Sequence, residues 1–183
     1  MTLENRYTPV AIALHWLMAL LLVGSFSVGL YMTDLTLSPW KLKVYSWHKW
    51  AGVTAFGLVL IRLLWRALHR PPTLPDSMPL MMQRAAHLGH ALLYVLMVAI
   101  PLVGWLMSSA KGFQTVYFGV LPIPDLLAKD KALGDLLANV HAALAYFLAL
   151  VVAGHAAAAL KHHLFDRDDI MIRMLPPWWP RRR

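Results

Sequence analysis

Two histidines lie within one long apolar segment of the chain. The segment "VHAALAYFLALVVAGHAAAAL", residues 140–160, contains His141 and His155 and no formal charge. A neutral imidazole has one donor and one acceptor nitrogen, and burying either without a partner costs roughly 1–3 kcal/mol. In a helix, a spacing of fourteen residues separates the two side chains by about 21 Å and leaves them on one face within about 40°. Each histidine therefore needs a partner at its own depth.

Two further histidines occur at matching depths in other apolar segments. His15 lies early in the first segment, at the depth of His155, and His48 lies early in the second, at the depth of His141. Imidazoles from two facing helices can each give a nitrogen to a haem iron, and the cores of helix bundles are common cofactor sites. The depth match therefore predicts the pairs His15–His155 and His48–His141, with two haems stacked across a membrane as an electron path.

Alternatives to this pairing remain open. The stretch "AAHLGHALLY" places His87 and His90 at the depth of His15, and either could replace it as a ligand. The paired histidines could also form structural hydrogen bonds, or line the path of a transition-metal ion through a transporter. His69, His162 and His163 lie at or beyond helix ends, where contact with lipid headgroups is the simpler interpretation.

The elements that must position these histidines are predicted to be membrane helices. Of the 183 residues, 59% are hydrophobic and 14% charged, whereas soluble domains contain about 25% charged residues. A membrane span needs about 20 mostly apolar residues. Four segments meet this requirement, and we predict a single all-α domain over residues 1–183, an integral membrane four-helix up-down bundle with helices at approximately 9–32, 44–68, 85–109 and 136–165.

The basic residues predict the orientation of this bundle. With four spans, both termini and the connection between the second and third helices share one side, which holds eleven of the basic residues, and the other side holds six. The first group is Arg6, Arg62, Arg66, Arg70, Arg84, Lys161, Arg167, Arg173 and Arg181 to Arg183; the second is Lys41, Lys43, Lys49, Lys111, Lys129 and Lys131. Because cytoplasmic loops are enriched in Lys and Arg, we predict that both termini are cytoplasmic.

Charge and cysteine content narrow the function classes. The formal net charge of +8 is accounted for by topology and by attraction to anionic membrane lipids, so we expect no nucleic-acid partner. The chain has no cysteine. This excludes disulfides, thiolate-bound iron–sulfur clusters and covalently attached c-type haem. A haem in this protein would be held by coordination and packing alone.

At these residues the chain resembles the bacterial cytochrome b561 family. The matching stretches are "IALHWLMALLL", "YSWHKWAG", "RAAHLGHALLYVLMVAIPLVGWLM", "NVHAALAYF", "GHAAAALKHHLF" and the basic tail "MIRMLPPWWPRRR". The resemblance implies a multi-pass protein of the bacterial inner membrane with two haems b. It assigns His15 and His155 to the inner haem and His48 and His141 to the outer haem, as axial ligands of the iron.

The resemblance also implies a reaction. One branch of the family oxidises periplasmic superoxide to dioxygen and reduces ubiquinone through both haems. Lys41, Lys43 and Lys49 would then steer the superoxide anion, since a cationic surface raises the local concentration of a small anion. Possible quinone or haem-propionate contacts are His87, His90, Trp16 and His162. The alternative function is a membrane relay between the quinone pool and a periplasmic redox partner. For the oligomeric state, we expect a monomer or a homodimer.

Overall fold

The structure of the chain is a computed structural model that describes residues 6–75 and 78–176. The final Pro, Trp and Arg residues of the basic tail, including Arg181 to Arg183, lie outside the described residues. Within them there are four helices long and apolar enough to cross a membrane. They are α1 (Pro9–Asp34), α2 (Pro39–Leu68), α3 (Leu80–Ala110) and α4 (Lys131–Lys161).

Local caps decide where three of the helices begin. Thr8 and Ser38 accept hydrogen bonds from backbone N–H groups at 3.3 Å and 3.2 Å, and Pro9 and Pro39 follow them as first helical residues. Asp130 caps α4 through a 3.0 Å bond from Leu133 N. Caps of this kind satisfy backbone donors that a helix cannot pair internally. As a result α2 and α4 begin about five residues earlier than hydropathy predicts.

Successive helices run in opposite directions. The side chains of Arg62, near the end of α2, and His155, near the end of α4, lie close to His15, near the start of α1. His90 in the first half of α3 also contacts His155. We call this the inner end of the bundle, and the opposite end, with the α1–α2 and α3–α4 connections, the outer end. α1 packs on α2, α2 on α3, and α3 on α4.

The α3–α4 connection folds back onto the outer end of α2. Two short strands, β1 (Val116–Tyr117) and β2 (Leu121–Pro122), form an antiparallel hairpin that the sequence analysis did not predict. The Trp50 indole donates to Val116 O at 2.7 Å, and the Thr54 and Tyr117 hydroxyls are 2.9 Å apart. These bonds fix the long connection against the bundle.

The segment after α4 closes the inner end. A π-helical turn at His162–Asp166 ends in a left-handed residue, Arg167, and a 3₁₀ turn follows at Ile172–Met174. The buried Arg173 pairs with Asp169 at 2.9 Å and donates to Thr73 O at 2.6 Å. This segment therefore ties the end of α4 to the α2–α3 connection.

The buried core is small and lies among three of the helices. Met18, Ala55, Val59 and Met97 form it, with Val59 fully buried. On the outside of the bundle, apolar side chains such as Leu20 and Leu150 are 72% and 68% exposed. An apolar exterior around helices with internally paired backbone groups is the arrangement that a lipid bilayer requires.

Candidate haem site

The outer histidine pair joins α2 to α4. The ring centroids of His48 and His141 are 6.2 Å apart, with the planes at 82°. Nδ1 of His48 lies 3.1 Å from Ser25 O, and Nδ1 of His141 lies 3.1 Å from Ile100 O. A carbonyl oxygen can only accept, so Nδ1 carries the proton in both neutral rings. Each Nε2 therefore keeps a lone pair with which to bind a metal.

Two glycines make room for these rings. A Cβ built on Gly29 would lie 3.2 Å from His48 Cε1, and one on Gly104 would lie 3.1 Å from His141 Cε1. Both are tighter than ordinary contacts, so a larger residue would displace the imidazole. The sequence analysis did not select either glycine. Their position inside long helices could have identified them, because a Gly there destabilises the helix by about 1 kcal/mol relative to Ala and so indicates a packing role.

The inner histidine pair joins α1 to α4 with the same separation. The centroids of His15 and His155 are 6.2 Å apart, with the planes at 64°. His90 is nearer, at 5.5 Å from His155. The structure thus brings His15 and His90 together around His155, and of these two only His15 reproduces the separation found in the outer pair.

Both pairs fit a metal ion with two axial imidazoles. Metal–nitrogen bonds of about 2 Å on opposite sides of one ion place two imidazole centroids about 6 Å apart. In the described chain, α4 packs closely on α3 but not on α1 or α2, the helices that supply the other histidine of each pair. Helices held apart and bridged by facing side chains can enclose a flat macrocycle. An apolar cavity of about 280 Å³ between α1 and α2 reaches His48 beside Trp47 and Ala51.

Comparisons with known proteins agree with this geometry. A family model described as prokaryotic cytochrome b561 matches residues 6–177. The chain belongs to the prokaryotic cytochrome b561 family. Three curated relatives are similar over nearly their whole lengths. "Cytochrome b561 homolog 2" of Escherichia coli K12 is 38% identical over 93% of this chain and 92% of its own. "Probable superoxide oxidase CybB" of Yersinia pestis is 29% identical over 95% and 98%, and "Cytochrome b561 homolog 1" of Escherichia coli K12 is 29% identical over 94% and 98%.

Family membership establishes the general chemistry. This cytochrome is a multi-pass bacterial membrane protein that binds haem b and transfers electrons. The resemblance to the cytochrome b561 family is thus confirmed, as is an all-helical bundle with four membrane-spanning segments. The individual ligands, the number of haems, the orientation in the membrane and the substrates stay predictions.

An arginine and a tyrosine flank the inner pair of this cytochrome. Arg62 Nη2 is 3.2 Å from His15 Nδ1, and Arg62 Nε donates to the Tyr94 hydroxyl at 3.0 Å. Arg66 lies over the Tyr94 ring at 5.8 Å. Just before α1, burial raises the pKa of the Tyr7 phenol, although Arg66 and Arg62 oppose that shift. The inner end is therefore strongly cationic, which sequence analysis had used only as evidence for orientation.

The four predicted quinone or propionate contacts do not form one group. His90 contacts His155, and Trp16 lies edge-on to His15 at 5.3 Å. However, the Trp16 indole donates to Met174 O at 2.9 Å, which occupies its one N–H. Nδ1 of His162 is 2.6 Å from Asp168, and His87 is exposed. Of the four, His90 is thus the one that lies within the histidine cluster and has no hydrogen-bond partner among the described residues.

The predicted steering lysines lie on the first turns of α2, at the outer end. Lys49 donates to Phe113 O at 2.7 Å, and Lys41 donates to Leu35 O at 2.5 Å. Lys43 lies 5.4 Å from the Trp47 ring, which borders the cavity at His48. A hydrogen bond to a carbonyl leaves the ammonium charged. Lys111, by contrast, pairs with Asp135 at 3.1 Å.

A further cluster at the inner end could in principle hold a cation. His162, Asp166 and Asp168 bring one possible ligand atom each to within 4.8 Å of one another. His162 pairs with both carboxylates, at 3.0 Å and 2.6 Å, and Lys161 pairs with Asp166 at 2.6 Å. Asp166 is thus paired with Lys161 and Asp168 is bonded to His162, and these contacts tie together the π-helical turn that ends α4.

Proposed function

We propose that this cytochrome oxidises superoxide at its outer end and reduces ubiquinone with the electrons, through two haems b. Two superoxide anions would give two dioxygen molecules and two electrons, and these electrons with two protons would convert one ubiquinone to ubiquinol. The relative named as a probable superoxide oxidase supports this choice, since it aligns over nearly the whole chain.

One observation carries the proposal: two imidazole pairs of equal separation, 6.2 Å, lie at two depths of one membrane bundle. We assign His48 and His141 as axial ligands of an outer haem and His15 and His155 as axial ligands of an inner haem. Each haem iron, when bound, takes up and releases one electron. The chain holds the outer imidazoles in the required orientation through the carbonyls of Ser25 and Ile100, which is the usual role of such outer contacts at metal sites.

His90 then has a role other than ligation. It lies on α3, directly against α4, and its ring is 5.5 Å from that of His155, nearer than the 6.2 Å that the two assigned pairs share. A quinone headgroup needs a polar partner at the edge of an apolar cleft. We assign this contact to His90, which could donate a hydrogen bond or a proton to a quinone oxygen. Trp16 would donate to a quinone only after breaking its bond to Met174 O, and His162 lies in the turn after α4, held by Asp168.

The outer end suits a small anionic donor. Lys41, Lys43 and Lys49 place three positive charges on the first three turns of α2, at the outer end of the bundle. Such a surface attracts superoxide and raises its encounter rate. The outer connections are short or pinned to α2 by the bonds of Lys49 and Trp50, so they offer little surface for docking a partner protein. This observation favours superoxide over the relay alternative.

The proposal includes an orientation. We place both termini in the cytoplasm and the protein in the bacterial inner membrane, because the inner end holds eight of the fourteen Lys and Arg residues that the structure describes, including every described Arg, and positive loops stay inside. Superoxide would then react on the periplasmic side. Cysteine labelling of Arg70→Cys and Lys129→Cys variants from one side of the membrane tests this, and labelling of both from the same side would contradict it.

Stopped-flow spectroscopy of the purified cytochrome tests the reaction. A pulse of superoxide should reduce the haems, seen as sharpening of the α-band, and a ubiquinone analogue should reoxidise them. Superoxide dismutase added before the pulse should abolish the reduction. Haems that stay oxidised under superoxide but are reduced by an added periplasmic donor protein would replace this function with the relay.

A further inference from the structure

The two histidine pairs differ in the groups that contact their Nδ1 atoms. In the outer pair, both Nδ1 atoms donate to backbone carbonyls at 3.1 Å. In the inner pair, His15 Nδ1 instead faces a guanidinium donor, Arg62 Nη2, at 3.2 Å. A negative dipole end therefore touches each outer imidazole, whereas a full positive charge touches an inner one.

The position of Arg62 follows from its spacing to His48 along α2. It follows His48 by fourteen residues, the same spacing that separates His141 from His155 on α4. Because fourteen residues are close to four helical turns, the two residues lie on the same face of α2, one at each depth. That face presents an imidazole at the outer depth and a guanidinium at the inner depth.

The guanidinium of Arg62 is only partly satisfied. Its Nε donates to the Tyr94 hydroxyl at 3.0 Å, while its Nη1 is buried and has no hydrogen-bond partner among the described residues. Arginine stays charged in proteins, and a buried charge is costly unless a partner compensates it. With a metal on His15 Nε2, Nδ1 would hold a proton, and Nη2 would also seek an acceptor. The bond to Tyr94 keeps the guanidinium in place beside His15, so its positive charge stays next to the inner pair.

Within the described part of the chain, no carboxylate acts on the inner pair. Among the described residues, the charged side chains that act on His15, His90 and His155 are Arg62 and Arg66. None acts on His48 or His141 within the same part of the chain. The electrostatic difference between the two depths is therefore set mainly by one side chain in direct contact, Arg62.

We propose that Arg62 sets the direction of electron transfer by raising the midpoint potential of the inner haem above that of the outer haem. This rests on the ligands assigned under the proposed function. A nearby positive charge stabilises the reduced haem, which carries one more electron. A hydrogen bond from Nδ1 to a carbonyl makes an axial imidazole more basic and so favours the oxidised haem. Both effects drive electrons from the outer to the inner haem.

Spectroelectrochemical titration of the dihaem protein tests this without any substrate. His48→Ala and His155→Ala variants, each with one haem, assign the two waves, and we expect the inner haem to have the higher potential. Arg62→Gln should lower only that wave, with at least a tenfold change in the reduction equilibrium constant, or about 59 mV for one electron. Arg62→Lys should keep most of the potential because it keeps the charge.

Arg66→Gln is the matched control. Arg66 lies one turn further along α2 and stacks on the same Tyr94 ring, at 5.8 Å, without a hydrogen bond to His15. Its removal should shift the inner wave by less than a third of the Arg62→Gln effect. If the role of Arg62 were merely structural, its removal would instead broaden the inner wave or cause loss of the inner haem, without shifting the midpoint potential.

Three results would overturn the proposal. They are an outer haem of higher potential, an unshifted inner wave in Arg62→Gln, and an equal shift in Arg66→Gln. If Arg62→Gln does not retain the inner haem, the order of the two wild-type potentials and the Arg62→Lys titration still decide. A protein that titrates as expected but does not react with superoxide would contradict the proposed donor and leave the role of Arg62 intact.

Discussion

The outer and inner histidine pairs share one separation and differ in what holds the rings. Backbone carbonyls and close-packed glycines position the outer rings, whereas side chains surround the inner ones: His90, Arg62 and Trp16. Backbone contacts fix a ring regardless of the side chains around it, but side-chain contacts can carry charge. The comparison indicates that the outer site is built for rigid geometry and the inner site for electrostatic control.

The two ends of the bundle also differ in packing. The core residues Met18, Ala55, Val59 and Met97 lie near the middle of the bundle, and the segment after α4 closes the inner end through Arg173. The outer half instead has the apolar cavity beside His48. Substitutions at the inner end should therefore affect stability of the whole bundle, and substitutions at the outer end should affect one haem or its access.

Loss of single ligands is the largest expected effect and tests whether the two pairs are independent. His141→Ala should remove the outer haem and His155→Ala the inner one, so haem content falls from two to one per chain in each variant. Haem absorbance per mole of protein measures this. His69→Ala is the control, because His69 stacks on Trp65 at the end of α2 and should leave both haems in place. Retention of the inner haem in His15→Ala together with its loss in His90→Ala would show that the inner pairing is wrong.

A methyl group added behind the His141 ring should weaken haem binding at the outer site only. Gly104→Ala places a Cβ about 3.1 Å from His141 Cε1, and overpacking of this kind costs roughly 1–3 kcal/mol. The outer haem should therefore be retained about tenfold more weakly, as measured by haem transfer to apomyoglobin, while the inner haem is unchanged. Gly89→Ala on the same helix is the control, since no described atom lies within 4 Å of its built Cβ. Equal retention of the outer haem in both variants would contradict the role of Gly104.

Opening the closed inner end should lower the stability of the bundle as a whole. Arg173 is 7% exposed and joins Asp169 to Thr73 O. Breaking a buried pair on one side leaves the other charge unpaired, and we expect Arg173→Ala to cost about 2 kcal/mol. For a protein of this size that is roughly 4–8 °C in apparent Tm. Arg84→Ala, at an exposed site of α3, should shift Tm by less than one degree, and an equal shift in both would contradict the closing role of Arg173.

Removal of the steering charges should give the smallest effect, confined to the outer end. Joint neutralisation of Lys41, Lys43 and Lys49 to Gln should slow haem reduction by superoxide several-fold. Rising salt should slow the wild-type reaction in the same direction, because the screening length falls from about 10 Å at 0.1 M to about 3 Å at 1 M. Arg84→Gln at the inner end should not change the rate. A triple variant with the wild-type rate and salt dependence would show that these lysines do not steer superoxide.

The sequence by itself determined the spans and the depths of the histidines. A bilayer forces each crossing segment to pair its own backbone groups, so four apolar runs imply four helices. Helical rise and register then place His48 at the depth of His141, and His15, His87 and His90 at the depth of His155, because depth along a helix depends only on residue number. The absence of cysteine and the excess of arginine on one side likewise follow from composition.

Only the tertiary structure decided which groups surround each imidazole. Register gives a depth and a face, but it does not say which neighbouring helix lies opposite that face. Ser25 O, Ile100 O and Arg62 contact histidines that are 23, 41 and 47 residues away. The segment after α4 engages Trp16 and His162, which were selected from their depth: Trp16 donates to Met174 O, and His162 Nδ1 pairs with Asp168. These contacts depend on how four helices and one closing segment pack, and that packing determines which nitrogen holds a proton and where positive charge is placed.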